Sequence, residues 1–198
     1  MVPSPALHPT HAAPGRPREF DADAALVAAL DMFWRQGYEA TSLDDLTRAM
    51  GISRSSFYGC FGSKHALLVA AIRRYSDERF EALAAIASGE ADPATALRAV
   101  LTALTNPNGG REGCFLVNCA AELAPHDPEV EAISRRHLER LEDLIAGLAA
   151  RRGVPPGAAP ARARALLSLG LGATMLRKAG TPSDRIEALL AEAEPLLA

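Results

Sequence analysis

Apolar residues recur along this chain at the three- and four-residue spacing of helices, not in the alternation of strands. Leu26, Leu30 and Phe33 mark one face of a first helix over 21–36, with Asp21 as its N-cap and Gly37 as its stop. Leu43, Leu46 and Met50 mark a second, short helix that Gly51 interrupts. A third begins at once behind Ser53, whose hydroxyl suits an N-cap, and is anchored by Ile52 and Phe57. From Ser63 a long helix runs to Ser88, before Gly89. Its Leu67 and Leu68 belong with the first three helices, whereas Ile72, Tyr75, Leu83 and Ile86 face a second domain.

Proline and glycine divide the remainder. Asp92-Pro93, Asp127-Pro128-Glu129 and Thr181-Pro182 each read as a cap followed by proline in a first turn. With the breakers at 106–110, Pro125 and 153–157, they delimit helices near 93–105, 112–124, 128–152, 160–178 and 183–197. Nine helices are expected, and no β-branched runs bounded by turns compete with them. The expected fold is all-α.

Two short helices joined by a tight glycine turn form a helix-turn-helix, in which the second helix enters the DNA major groove. The solvent side of that helix fits this use: Ser53, Arg54, Ser55 and Ser56 are small hydrogen-bonding groups around one guanidinium, and Arg54 can bridge guanine O6 and N7. Tyr58 adds a phenol at the helix end. Taken alone, such a run is commonly a solvated face. Its neighbours change the picture. Lys64 opens the long helix at the positive end of its dipole, an unfavourable place for a cation unless a phosphate docks there. Thr41 and Ser42, with Asp45 three residues beyond Ser42, start the second helix as a capping box whose hydroxyls either only cap or also touch phosphate. Upstream, Arg16 and Arg18 stand in a proline-stiffened arm that either enters a minor groove or supplies general attraction. Trp34 and Tyr38 are expected in the small core beneath these helices.

The spaced elements Gly37-Tyr38, Thr41-Ser42-Leu43, Leu46, Met50-Gly51-Ile52-Ser53, Phe57-Tyr58, Phe61-Gly62-Ser63-Lys64 and Leu67-Leu68 together resemble the N-terminal domain of the tetracycline-repressor (TetR/AcrR) family, over residues 16–75. The chain departs from many members at Gly59-Cys60. The resemblance implies a homodimeric repressor that binds double-stranded operator DNA and is released by a small-molecule effector. It implies a helix-turn-helix DNA-binding domain over 16–62 and a ligand-binding and dimerisation domain over 63–198 that shares helix 63–88; residues 1–15, rich in proline and alanine, read as a disordered tail. No cofactor, metal or membrane partner is called for, and no enzyme is required.

Composition adjusts this reading in two ways. The formal charge of −3 is unhelpful to a DNA binder, and residues 1–75 carry only eight Lys/Arg against seven Asp/Glu, so binding must come from placement. Three cysteines, without a signal peptide or a membrane span, argue for the cytoplasm and against a disulfide framework. Arg73, Arg74 and Arg79 read as a solvated face of the long helix.

For a ligand the helix at 112–124 draws the eye. It is mostly apolar yet places Cys114, Asn118 and Glu122 along one stripe, which either meets water or lines a cavity beside Phe115 and Cys119. His137, on the next helix, either joins that cavity or is exposed, and exposure is the expectation. Cys114 near a helix N-terminus also suggests a thiol sensor, because the dipole there favours the thiolate. Cys114 and Cys119 lie about 140° apart around the helix and cannot readily bridge within it. A third possibility, a small helical enzyme using a cysteine and His137, finds no local arrangement of Cys, His and acid to support it. In helix 160–178, Ala165, Leu166, Leu169, Gly172, Ala173 and Leu176 form an apolar band with small residues. Together with Ile186, Leu189, Leu190, Leu196 and Leu197 of helix 183–197 it either closes within the monomer or pairs two chains across a twofold axis.

Overall fold

The computed structural model describes residues 21–105 and 110–192. Among them are nine α-helices and no strand: α1 (Ala22–Gln36), α2 (Leu43–Met50), α3 (Arg54–Phe61), α4 (Lys64–Gly89), α5 (Pro93–Thr105), α6 (Phe115–Leu123), α7 (Pro128–Arg151), α8 (Ala159–Lys178) and α9 (Ser183–Glu192). The expected arm at Arg16 and Arg18, and the tail at 1–15, lie outside the described residues. So does the end of the helix expected at 183–197.

Local caps explain most boundaries. Asp21 accepts the Asp23 and Ala24 N–H groups, Ser42 and Asp45 form a reciprocal capping box, and Ser53 and Ser63 accept from Ser56 and Ala66. Asp127 caps α7 ahead of Pro128, and Asp92 accepts the Thr95 N–H at the start of α5. Gly51 closes α2 in the left-handed conformation, at φ 65°, which glycine adopts without strain.

One boundary differs from expectation. The sequence pattern predicts a helix from 112, but α6 begins at Phe115, because Gly113 takes φ 76° and Cys114 is extended at the N-cap. Asn118 Nδ2 fixes this bend by donating to the Glu112 carbonyl at 2.8 Å.

Two apolar cores are threaded by α4. The first joins Ala29 and Phe33 of α1, Leu46 of α2, Phe57 of α3 and Leu67, Leu68 and Ile72 of α4 to Phe115 and Cys119 of α6. The second joins Leu83 of α4 to Leu97 of α5, Leu141 and Ile145 of α7 and Leu166 of α8. Burying a leucine of this kind is worth about 1.5–3 kcal/mol, so each core holds its half of α4 firmly. The long helix is therefore a rigid member common to both. No described helix is long and apolar enough to cross a membrane.

Candidate nucleic-acid interface and internal cavity

The helix-turn-helix presents α3 outward. Ser53, Arg54 and Ser55 are exposed, Ser56 is half-buried and Tyr58 is 55 % exposed, while Phe57 on the opposite side is fully buried. Period decides this: Phe57 meets Phe61 and the core, so its neighbours in sequence must turn to solvent. The hydroxyls of Ser53 and Ser56 are engaged with each other at 2.9 Å, and Ser53 Oγ also caps the Ser56 N–H. Arg54 reaches back to Asp44 of α2, with Nη2 to Oδ1 at 2.6 Å. The Tyr58 ring stands edge-on to Phe57 at 5.4 Å.

The flanking residues separate into two groups. Lys64 lies 4.2 Å above the Tyr38 ring, a cation–π contact that holds the ammonium near the start of α4. Ser42 is exposed and engaged in its capping box. Thr41 is a correction to the expected surface: it is fully buried and its Oγ1 donates to the Gly37 carbonyl at 2.6 Å. A hydroxyl consumed beneath the α1–α2 turn cannot touch phosphate.

Behind this head lies a cavity of about 210 Å³. Trp34, Tyr75, Arg79, Cys114, His137 and Arg177 give it its polar character, and leucines from α5 to α8 give its apolar walls. Trp34 and Tyr75 meet edge-on at 5.2 Å, and both pack against Phe115 at 6.0 and 5.5 Å. Tyr75 Oη donates to Cys114 Sγ at 3.4 Å, and burial raises the Tyr75 phenol above its ordinary range, with Cys114 adding to the effect. The Trp34 indole N–H is buried and finds no acceptor among the described residues.

His137 is not exposed as expected. It is 3 % exposed, its Nδ1 lies 2.9 Å from Ser76 Oγ, and burial pushes its pKa down to about 4 with help from Arg140 and Arg79. Arg79 likewise leaves the solvated face assigned to it: it lines the cavity and donates to the Ala103 carbonyl at the end of α5. Arg73 and Arg74 do remain at the surface side, paired with Glu129 and with Asp23 and Glu78.

The polar stripe of α6 is divided between two cavities. Cys114 reaches this one. Asn118, drawn to Lys178 Nζ at 2.7 Å, and Glu122, which accepts the N–H groups of Tyr38 and Glu39, border with Cys119 a second, more open pocket of about 420 Å³ against Trp34 and Gly37. Phe115 is fully buried in the aromatic cluster. Cys119 is buried in the first core, where desolvation pushes its thiol up to about 12. The cavity residues that sequence spacing missed, Arg79, His137 and Arg177, gave no local signal because each is polar on a helix with a solvated face. Among the described residues, no group of three His, Cys, Asp or Glu side chains is arranged to hold a metal ion.

Residues 25–71 match the family model described as bacterial regulatory proteins, tetR family. The chain is 36 % identical over 151 residues to the HTH-type transcriptional repressor ComR of Escherichia coli (strain K12), covering 72 % of this chain and 71 % of that one. It is 31 % identical over 142 residues to the HTH-type transcriptional repressor BdcR of the same organism, covering 70 % and 71 %. Among solved structures, a cysteine-substituted variant of the TetR family transcriptional regulator CifR, complexed with 26-base-pair double-strand operator DNA, superposes with a TM-score of 0.76 at 29 % identity, over 92 % of this chain and 98 % of that one. An exposed third helix in a helix-turn-helix, a long helix shared by two cores and relatives of this kind lead to one conclusion: the chain belongs to the tetR family of bacterial regulatory proteins and is a DNA-binding transcriptional regulator.

Proposed function

We propose that this regulator is a cytoplasmic homodimeric repressor that leaves a palindromic operator when a small, largely apolar molecule occupies the cavity behind its helix-turn-helix. The observation that carries the reading is the cavity wall itself. Trp34 of α1 and Tyr75 of α4 both line it, so an occupant bears at once on the first helix of the DNA-binding head and on the rigid helix beneath it. A ligand that prefers one arrangement of these helices shifts the population away from the DNA-competent state. The relatives ComR and BdcR are repressors by name, and CifR is complexed with operator DNA, which supports the direction of control.

In this reading Ser42, Ser53, Arg54, Ser55, Ser56, Tyr58 and Lys64 meet DNA, with Arg54 reading bases and Lys64 holding phosphate. Dimerisation through α8 and α9 is supported by Met175 and Leu176, 49 % and 45 % exposed on α8, beside the exposed Ala165 and Gly172 that permit close helix approach. The decisive experiment is a gel shift with the DNA upstream of the chain's own coding sequence, at several salt concentrations. A dimer-sized, sequence-specific and salt-sensitive complex is expected; equal affinity for unrelated fragments would overturn the reading.

A second mode of release is favoured by one contact. Cys114 Sγ faces both the cavity and the Tyr75 hydroxyl at 3.4 Å, so a thiol-reactive effector entering the cavity meets a sulfur there. Cys114→Ser should then abolish release by such a reagent and leave operator binding intact.

A further inference from the structure

The last polar residue of the α6 stripe ends on the DNA-binding head. Glu122 Oε2 accepts the Tyr38 N–H at 3.1 Å and Oε1 accepts the Glu39 N–H at 2.9 Å, one carboxylate oxygen for each amide. These amides form the turn that seats α2, and the sequence separations are 84 and 83 residues. The approach is close. A Cβ on Gly37 would stand 3.1 Å from Glu122 Oε2, and Gly37 itself sits at φ 83°. Glycine is required there both by the backbone and by the carboxylate.

The other end of the same short helix stands at the cavity. Cys114 is the N-cap residue of α6 and lines the cavity, and Phe115 packs on the Trp34 and Tyr75 rings that form part of its wall. From Cys114 to Glu122 the helix rises only about 12 Å. A rigid rod of that length carries a displacement at one end to the other with little loss. Hydrogen bonds accepted by a carboxylate are strong and directional, so a shift of well under 1 Å, or a modest tilt, is enough to weaken them.

We infer that Glu122 is the residue through which occupancy of the cavity reaches the helix-turn-helix: an occupant that moves the N-terminus of α6 withdraws the carboxylate from the Tyr38 and Glu39 amides and frees the turn ahead of α2. This rests on the cavity being the effector site, and it supplies a route that does not run along α4. The corner after α6 is held to α4 independently, by Asp127 on His65 at 2.7 Å and Glu129 on Arg73 at 3.0 Å. Loss of the Glu122 contact is therefore separable from parting of the two halves. Glu122 acts as a positioning residue, since it touches neither the cavity nor the outer face of α3.

The test follows the two amides directly, without DNA and without the natural effector. The full chain carrying Cys60→Ser is treated with N-ethylmaleimide, the adduct on Cys114 is verified by mass spectrometry, and amide hydrogen exchange at Tyr38 and Glu39 is followed by NMR. Alkylation is expected to accelerate exchange at both amides by about tenfold or more, the scale set by losing a hydrogen bond to a charged acceptor. In the Glu122→Ala background both amides should exchange fast from the outset, and alkylation should then change them less than about twofold. The inference is overturned if alkylation leaves the two amides at their original rates, or accelerates them equally in the parent and in Glu122→Ala. Should the adduct melt the core, seen as lost protection at Leu67 and Leu68, Val117→Phe, at an α6 residue that also lines the cavity, fills it instead and is judged by the same two outcomes. A negative result leaves the regulator reading standing, whereas failure of that reading would show as absent operator binding with the exchange result unaffected.

Discussion

Arg54 donates from both Nε and Nη2 to a single oxygen, Oδ1 of Asp44, at 3.0 and 2.6 Å. The guanidinium expected to read bases is thus held in the free protein by a carboxylate on the preceding helix. Both partners are well exposed, so the pair exchanges readily for a better acceptor. In the proposed complex the Asp44 carboxylate would repel phosphate and penalise sequences offering Arg54 no guanine to compensate. Asp44→Asn should tighten binding to every duplex about three- to tenfold and narrow the gap between operator and random DNA; Arg54→Ala should close that gap by weakening the operator alone. Fluorescence anisotropy with both DNAs distinguishes the two results.

Lys64, held above the Tyr38 ring at 4.2 Å, is proposed to hold phosphate, a contact without base preference. Lys64→Ala is expected to weaken operator and random DNA by the same factor and to lower the slope of log affinity against log salt by about one. A selective loss for the operator would remove Lys64 from the phosphate contacts.

Stability should fall in mild acid because of His137. Its pKa is about 4 in the folded chain against an ordinary 6.5, so between these limits the unfolded chain binds a proton that the folded chain refuses. Stability is then fully present above pH 6.5 and declines toward pH 4, with a slope of at most about 1.4 kcal/mol per pH unit. His137→Gln, which can still meet Ser76, should flatten urea denaturation midpoints across that window. The carboxylates held below their ordinary range, such as Asp127, act only at lower pH: burial pushes Asp127 upward, but the Val130 N–H and His65 outweigh it.

The cysteines of α6 should differ in reactivity. Cys119 is buried in the first core with its thiol pushed up to about 12, while Cys114 is half-buried and borders the cavity. Timed alkylation with mass-spectrometric mapping is expected to modify Cys114 at least about tenfold faster. Equal rates would mean that α6 opens as a whole on the timescale of the reaction.

The head of the molecule is legible in the sequence because its determinants are local. Ser42, Ser53 and Ser63 each bond an amide three residues on, and apolar spacing plus a polar cap is enough to read such helices. The cavity, and the contact of α6 with the turn ahead of α2, are not legible in the same way. His137 meets Ser76 across 61 residues and Glu122 meets Tyr38 across 84, and a polar residue on an amphipathic helix looks the same whether its partner is water or a distant amide. Thr41 misleads for a related reason: its neighbour Ser42 does cap, and one residue of register turns a surface hydroxyl into a buried one.

The first apolar core has a consequence for anyone who would graft this protein's reading head onto another scaffold. Because Leu67, Leu68, Phe115 and Cys119 share one buried core with Phe33 and Phe57, a cut at residue 62 strips away part of the filling around those two rings. A chimera between relatives should therefore transplant α6 together with α1–α4, as a single interchangeable unit whose seam runs through space and not through sequence.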